Sequence, residues 1–409
     1  MQINRASVEG AAAEGKAAVA LFSAYYPSHG GGMELATWEL ANALLTAGMD
    51  IEWAAQADGE PAPGLHAHCR PLPGTDLIYA LSGVPMPLPT PRAIPEISSI
   101  ARRADVVVIV EANFILSVAA FLAARLHRKP ILLIQHVGKP STVSPLARLV
   151  MNAGETLAAR PMVRGADAVV YVSPVVADYF EGERKASACL TIGHGVDMDI
   201  FVPAASDEQR ATDRAALGLA KDGRLASFVG RLTESKGASV VAEMARLRPD
   251  WNFALAGKGP IDPNKWGLPN VAALGQLDRA EVARLYRASD ATILPSPSES
   301  FSLVVREALA SGSHVVCSPQ IVETDAGIAP YITTEPVDLS DVEGTAARFT
   351  AALERPARAS SKQARAYITT QCSRTAVNER YVRLVKDLLR PERDSSAKGA
   401  AASELSRCR

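Results

Sequence analysis

Short apolar runs alternate along this chain with longer segments in which apolar residues recur every three or four positions, and turns rich in glycine, proline or serine separate them. Residues 17–22 form one such run. A turn through Tyr25, Tyr26, Pro27 and three consecutive glycines follows, after which Leu35, Trp38, Leu40, Ala41, Leu44 and Leu45 fall at helical spacing. Residues 106–110 read as a second strand that ends at Glu111. Residues 227–229 close a third, and the turn 230–237 leads into a helical pattern over 238–247. Further on, residues 291–294 predict a strand, 295–300 a proline and serine loop, and Ser302 a cap for a helix over 303–310 that Gly312 stops. Strand and helix in alternation predict an α/β fold with parallel sheets covered by helices. Two glycine-bearing strand starts, near Ala17 and Leu225, divide it into two Rossmann-like domains facing each other across a deep cleft. The expected boundaries are 17–198 and 199–375, with a helix over 376–390 crossing back to the first half and disordered ends at 1–16 and 391–409. Five prolines between residues 85 and 95 predict an extended connection there rather than a helix.

Three of the turns carry candidate chemistry. Glu299 stands on the loop after one strand and Glu307 on the helix that follows. Eight residues of helix span about 12 Å, so two carboxylates set this way can hold hydroxyls at opposite ends of one extended ligand. The free amides of residues 301–304 would face an anion between them. In the turn 230–237, Arg231 and Lys236 supply a guanidinium fork and a point charge, a match for a diphosphate. In the first turn Gly30, Gly31 and Gly32 allow a close backbone approach, but Leu35 stands where the third glycine of a dinucleotide-binding G-x-G-x-x-G would be. Each signal alone has a plain alternative: surface glutamates, solvated cations, or a flexible turn.

Taken in order, these turns resemble those of glycosyltransferase family 4, the retaining group with the GT-B fold. The likeness runs from about residue 17 to 389. It rests on Gly31-Gly32-Met33-Glu34, Gly230-Arg231 with Lys236-Gly237, Ala256-Gly257-Lys258-Gly259-Pro260, Leu294-Pro295-Ser296, and the Glu-x7-Glu signature of Glu299 and Glu307. The resemblance implies that Glu299 binds hydroxyls of the transferred sugar and Glu307 the nucleotide ribose. It gives Arg231 and Lys236 the diphosphate, helped by the amides of Ser302 and Leu303, with Gly32 closing from the N-terminal, acceptor-side domain. The base would lie beside the main chain near Leu277. His136 would approach the reacting sugar, the alternative being a satisfied core histidine. Three departures stand out: His194 replaces the asparagine of an Asn-Gly-Val-Asp segment, Ser300 and Ser302 replace glycines, and Glu111 stands where similar proteins often show histidine.

The activity so implied is that of a metal-independent, retaining hexosyltransferase. It would carry a hexose from a nucleotide-diphosphate sugar to a glycan or lipid-linked acceptor in surface polysaccharide or glycoconjugate biosynthesis, with the leaving phosphate taking the acceptor's proton. No cofactor is expected. Asp197-Met198-Asp199 forms an acid-x-acid triplet, but its place at the expected domain crossover favours a structural role over metal binding. Two alternatives use the same residues: a catalytically silent sugar-nucleotide-binding subunit, and an epimerase or phosphorylase of the same fold.

A formal net charge of −1 gives nucleic-acid binding no support. Between residues 90 and 170, ten Lys or Arg stand against five Asp or Glu, a balance that suits an anionic acceptor or contact with an anionic membrane surface, or simply scattered solvated arginines. Leu146, Leu149, Val150, Ala153 and Leu157 form a stripe that membrane or core packing would explain. No run is long enough to span a bilayer, the longest, 114–124, ending at Arg125, and the first sixteen residues carry no secretory pattern. The expected location is the cytoplasm, including the inner face of the membrane. Five cysteines without C-x-x-C spacing read as reduced thiols.

Overall fold

The computed structural model describes residues 16–29, 31–57, 61, 64–77, 86–138, 152, 154–183, 189–355 and 357–390. Residues 1–15 and 391–409 of the expected disordered ends, Gly30, and Leu146, Leu149, Val150 and Ala153 of the stripe lie outside the described residues. The chain builds two parallel sheets. The first contains β1 (Ala18–Phe22), β2 (Asp50–Gln56) and β3 (Cys69–Leu72); β4 (Gly74–Thr75) and β5 (Leu88–Pro89) form a separate antiparallel pair; then β6 (Val106–Val110), β7 (Ile131–Gln135), β8 (Ala168–Tyr171) and β9 (Cys189–Thr191) complete the first sheet. Its strand order is β3-β2-β1-β6-β7-β8-β9. The second holds β10 (Arg224–Val229), β11 (Trp251–Ala256), β12 (Val271–Gly275), β13 (Ala291–Leu294), β14 (His314–Cys317) and β15 (Thr333–Thr334) in the order β12-β11-β10-β13-β14-β15.

The sequence explains why both sheets are buried. All five residues of β6, and all five of β7, are sealed from solvent, and β6 is entirely Val and Ile. Such continuous apolar runs suit strands covered by helices on both faces, where alternation would waste one face. In each sheet the order reverses in the middle, between β1 and β6 and between β10 and β13. The crevice at such a reversal lies at the carboxyl ends of the strands. The glycine turn after β1, Glu111 after β6, the turn 230–237 after β10 and the loop 295–302 after β13 all leave from those ends.

The chain passes between the halves at two adjacent places. The Val196 amide donates to the Cys372 carbonyl (2.7 Å) and the Arg374 amide to the Val196 carbonyl (2.8 Å). A Cβ on Gly195 would lie 2.6 Å from the Arg374 Cα, so glycine permits this approach. Asp197 is fully engaged here: its carboxylate accepts the amides of Asp199 (3.1 Å) and Ile200 (3.3 Å) and an Arg374 guanidinium hydrogen bond (2.6 Å). The last helix, Arg374–Leu389, is capped by Ser373, whose Oγ accepts from the Ala376 amide (3.3 Å). Its Val377, Tyr381, Leu384 and Val385 are buried in one core with Leu40, Leu44 and Trp53 of the N-terminal half.

The proline-rich segment is extended at Leu88–Pro89, as expected, but its last residues enter a helix. A helix spans Ala93–Arg103 and includes Pro95 in its first turn, where an amide has no helical acceptor and its loss costs little. Cys317 and Cys372 are free thiols. We predict that Tyr381→Ala, by emptying a large site between the last helix and the N-terminal core, lowers stability by about 3 kcal/mol or more. Denaturant titration followed by intrinsic tryptophan fluorescence measures it.

Candidate active site

Three loops of the C-terminal half interlock at the crevice. Gly237 has φ +76°, and a Cβ there would collide with the Pro295 carbonyl; Gly257 has φ +145°, and a Cβ there would collide with the Gly230 carbonyl. These close approaches place the cationic turn beside the acidic loop. Lys236 Nζ donates to Glu299 Oε1 at 2.6 Å, with both side chains largely buried. Arg231 lies on the same turn but is exposed, so the unliganded turn pairs one cation internally and leaves the other at the surface. The helix Leu303–Ala310 starts immediately beyond, with the Val305 amide donating to the Ser302 Oγ (3.5 Å). Across the cleft, Gly32 opens the helix Gly32–Thr46, and a Cβ on Gly32 would stand 4.0 Å from the Leu303 side chain. The structure therefore brings Gly32, Leu303, Ser302, Glu299 and Lys236 to one place. Glu34 is buried beneath this turn and folds back against Gly31, and burial raises its carboxyl above the ordinary range.

Glu307 lies one helical stretch deeper. Burial pushes its carboxyl up to about 8; Arg279 pulls it down, Glu39 pushes it up again, and the Tyr286 hydroxyl pulls it down. Arg279 begins the helix Arg279–Ala288, which Asp278 caps through a reciprocal box with Glu281. Its guanidinium donates across the cleft to Glu39 Oε1 (2.9 Å), a buried carboxylate of the first helix that also meets Arg374 (3.1 Å). Leu277 flanks this group, half-buried and packed with Leu274 against the small core of Ala254, Ala256 and Leu285.

On the opposite wall, His136 follows β7. Its ring is buried, its Nδ1 has no hydrogen-bond partner among the described residues, and burial with the neighbouring His194 holds it well below the ordinary imidazole range. The turn carrying it is fixed by Glu111, a fully buried residue held at φ +67°. Glu111 Oε2 accepts the amides of His136 and Val137 (2.9 Å each), and Oε1 accepts from the Gln135 side chain (2.6 Å) and from Asn113. A left-handed non-glycine residue with every contact an N–H donor is a strained, over-determined position of the kind that clusters at functional sites. Burial raises the Glu111 carboxyl, and these donors oppose that rise.

The family model "Glycosyltransferase Family 4" matches residues 30–200, and "Glycosyl transferases group 1" matches residues 209–368. The chain belongs to the family 4 glycosyltransferases. It is similar to the D-inositol 3-phosphate glycosyltransferase of Mycolicibacterium gilvum, with 38% identity over 137 residues, 30% of this chain and 30% of that protein. The protein of the same name from Mycobacterium tuberculosis is 30% identical over 198 residues, covering 45% of this chain and 36% of that one. These matches thus span about a third of the relatives' length. Among solved structures, sucrose-phosphate synthase from Thermosynechococcus elongatus superposes with a TM-score of 0.68 at 20% identity, covering 91% of this chain and 99% of that one. HepE from Anabaena, solved with UDP, gives 0.68 at 17%, covering 91% and 100%. The two-sheet architecture is the GT-B fold these structures share.

Sequence reading picked out the loop residues but passed over Glu39, Arg279 and Arg306. Arg306 left a legible trace, a charge in phase with the buried Val305, Leu309 and Ala310. Glu39 and Arg279 are joined only by the fold, 240 residues apart.

The raised Glu307 pKa sets a pH dependence. The folded state keeps this proton up to about pH 8, whereas the unfolded chain releases it near 4.5, so this group removes stability as pH rises between those values. Glu307→Gln should therefore be more stable than wild type at pH 7.5, by on the order of 2 kcal/mol, with the gap narrowing towards pH 5. Thermal unfolding of both proteins at the two pH values checks this.

Proposed function

We propose that this protein is a retaining, metal-independent hexosyltransferase that moves a hexose from a nucleotide-diphosphate sugar to a glycan or lipid-linked acceptor. The observation that carries the reading is the Lys236–Glu299 pair, set at the ends of β10 and β13 beside the start of the helix Leu303–Ala310 and opposite Gly32. Breaking the sugar–diphosphate bond builds negative charge on the leaving phosphate. Lys236, Arg231 and the amides of Ser302 and Leu303 would stabilise that charge where it grows, which lowers the barrier more than it tightens ground-state binding. Glu299 then meets the hexose hydroxyls and Glu307 the ribose. Neutral His136, held by the Glu111 turn, faces the sugar from the other wall and accepts or donates a hydrogen bond without adding charge. The leaving phosphate takes the acceptor's proton, so the nucleoside diphosphate departs and the acceptor oxygen bonds to the sugar on the same face.

The HepE structures contain UDP and UDP-glucose, which makes uridine diphosphate sugars the first donors to try. Addition of UDP-, GDP-, ADP- and dTDP-sugars is expected to raise the unfolding temperature with one of them selectively. Lys236→Ala should weaken that nucleotide by about 10- to 100-fold. Glu299→Ala should stay folded and lose transfer by about 100-fold or more. An active Glu299→Ala enzyme would remove that residue from the site, and product forming from donor alone, or only with inorganic phosphate, would replace the transferase reading with an epimerase or a phosphorylase.

A lipid-linked acceptor is consistent with the outer face of the N-terminal half. No helix among the described residues is long and apolar enough to cross a membrane. The helix Ile115–Leu126 instead exposes Ile115, Leu122 and Leu126, at 42%, 63% and 74%, along one stripe with Arg125 and Arg128 beside it. Apolar anchors next to cations favour an anionic bilayer surface. The protein should co-sediment with phosphatidylglycerol vesicles at low salt more than with phosphatidylcholine vesicles, and Leu122→Glu with Leu126→Glu should abolish the difference.

A further inference from the structure

A continuous row of stacked side chains crosses from one half of the molecule to the other, and it ends on the loop that carries Glu299. Arg306 is fully buried. Its guanidinium lies 3.7 Å from the centre of the Phe301 ring, donates to the Ser302 carbonyl (2.9 Å) and pairs with Asp325 (3.2 Å), which the Tyr367 hydroxyl also holds (2.6 Å). Phe301 meets His194 edge to face, with ring centres 5.2 Å apart and planes at 88°. His194 in turn stacks on His136 at 5.0 Å and 16°. Gly193 makes room for the row, since a Cβ there would collide with the Phe301 ring.

We propose that Arg306, Phe301 and His194 are positioning residues that set the 299–303 loop of the C-terminal half in register with His136 of the N-terminal half. This rests on the reading of that loop and of His136 as parts of the transfer site. Arg306 lies too deep to meet a ligand and acts through two neighbours. It holds the carbonyl of Ser302, the residue that caps the helix, and it fixes one face of the ring lying between Glu299 and the Ser302 amide. A cation held over an aromatic face in a dry site favours one rotamer of that ring. His194 then spans the remaining distance. A residue without a flat ring at position 194 could not stack on His136 and meet Phe301 edge to face at once. Neutrality of both imidazoles suits the arrangement, because two stacked cations beside Arg306 would repel. Around the pair stand Glu39 on the first helix, Glu111 after β6 and Tyr381 on the last helix, with Arg306 beyond Phe301. Burial, with the Arg306 charge adding to it, holds His194 down to about 4.

The test uses full-length protein with 15N-labelled imidazoles, His136 and His194 being assigned through His136→Gln and His194→Asn. Phe301→Leu keeps an apolar side chain and removes the ring face; Phe301→Tyr keeps the ring. We expect Phe301→Leu, folded by circular dichroism, to shift the ring nitrogens of both histidines and to weaken UDP about 10-fold, and Phe301→Tyr to restore both. Arg306→Met should raise the His194 titration midpoint. Unchanged His136 signals and UDP affinity in folded Phe301→Leu would overturn the proposal, as would failure of Phe301→Tyr to restore them; an unchanged His194 midpoint in folded Arg306→Met would remove Arg306 from it. Absence of nucleotide binding by the wild type would instead sink the donor reading, and the histidine signals would still decide whether the row couples the two walls.

Discussion

The site depends on the reversal of strand order at the centre of two parallel sheets. On either side of such a reversal the connecting helices lie on opposite faces, so the carboxyl ends of the two central strands open into a crevice that no helix covers. In the N-terminal half this exposes the turn after β1 and Glu111 after β6. In the C-terminal half it exposes the cationic turn after β10 and the acidic loop after β13, and the close approach of Gly237 to Pro295 brings the last two within ion-pair distance. The two crevices then face each other because the chain crosses between halves only at adjacent segments, Val196 bonded to Cys372 and Arg374, and because the last helix is buried in the N-terminal core.

Charge compensation is the second constraint. Lys236 is neutralised by Glu299, Arg279 by Glu39, and Arg306 by Asp325. Glu307 retains its proton through burial, and the two histidines stay neutral for the same reason. Of the groups assigned to the donor, Arg231 is the exposed charge. A diphosphate entering this cleft would draw Lys236 and Arg231 to itself and free Glu299 for hydroxyls. Glu307 would gain hydroxyl donors that favour its ionised form. Such a ligand would complete the charge balance at Arg231.

Much of this was legible in the chain. The strand Ala291–Leu294, the Ser302 cap and the helix Leu303–Ala310 fall where the apolar period, the serine and Gly312 indicate. These are local signals, and local physics decides them. Pro95 misled because a proline is compatible with the first turn of a helix, and the neighbouring prolines hid that turn. The second group of residues was not legible for a different reason. Glu39 is an ordinary helix glutamate until Arg279 arrives from the other half. Glu111 was marked as a departure at a strand end, but only the fold turns five N–H groups of the next strand's exit and its own loop toward it. His194 was marked by its sequence context, but only the packing shows it stacked between His136 and Phe301.

The proposed function requires a nucleotide-diphosphate sugar in the cleft between the halves. A crystal structure of the protein with UDP-glucose, or with whichever nucleotide sugar raises its stability, tests it most directly. The diphosphate should lie against Lys236, Arg231 and the amides of Ser302 and Leu303, with the ribose on Glu307, the hexose on Glu299 and Gly32 closing over the phosphates. Nucleotide bound elsewhere, as in the groove between the first and last helices lined by Trp38, Asn42 and Arg383, with the Lys236–Glu299 pair undisturbed, would contradict it.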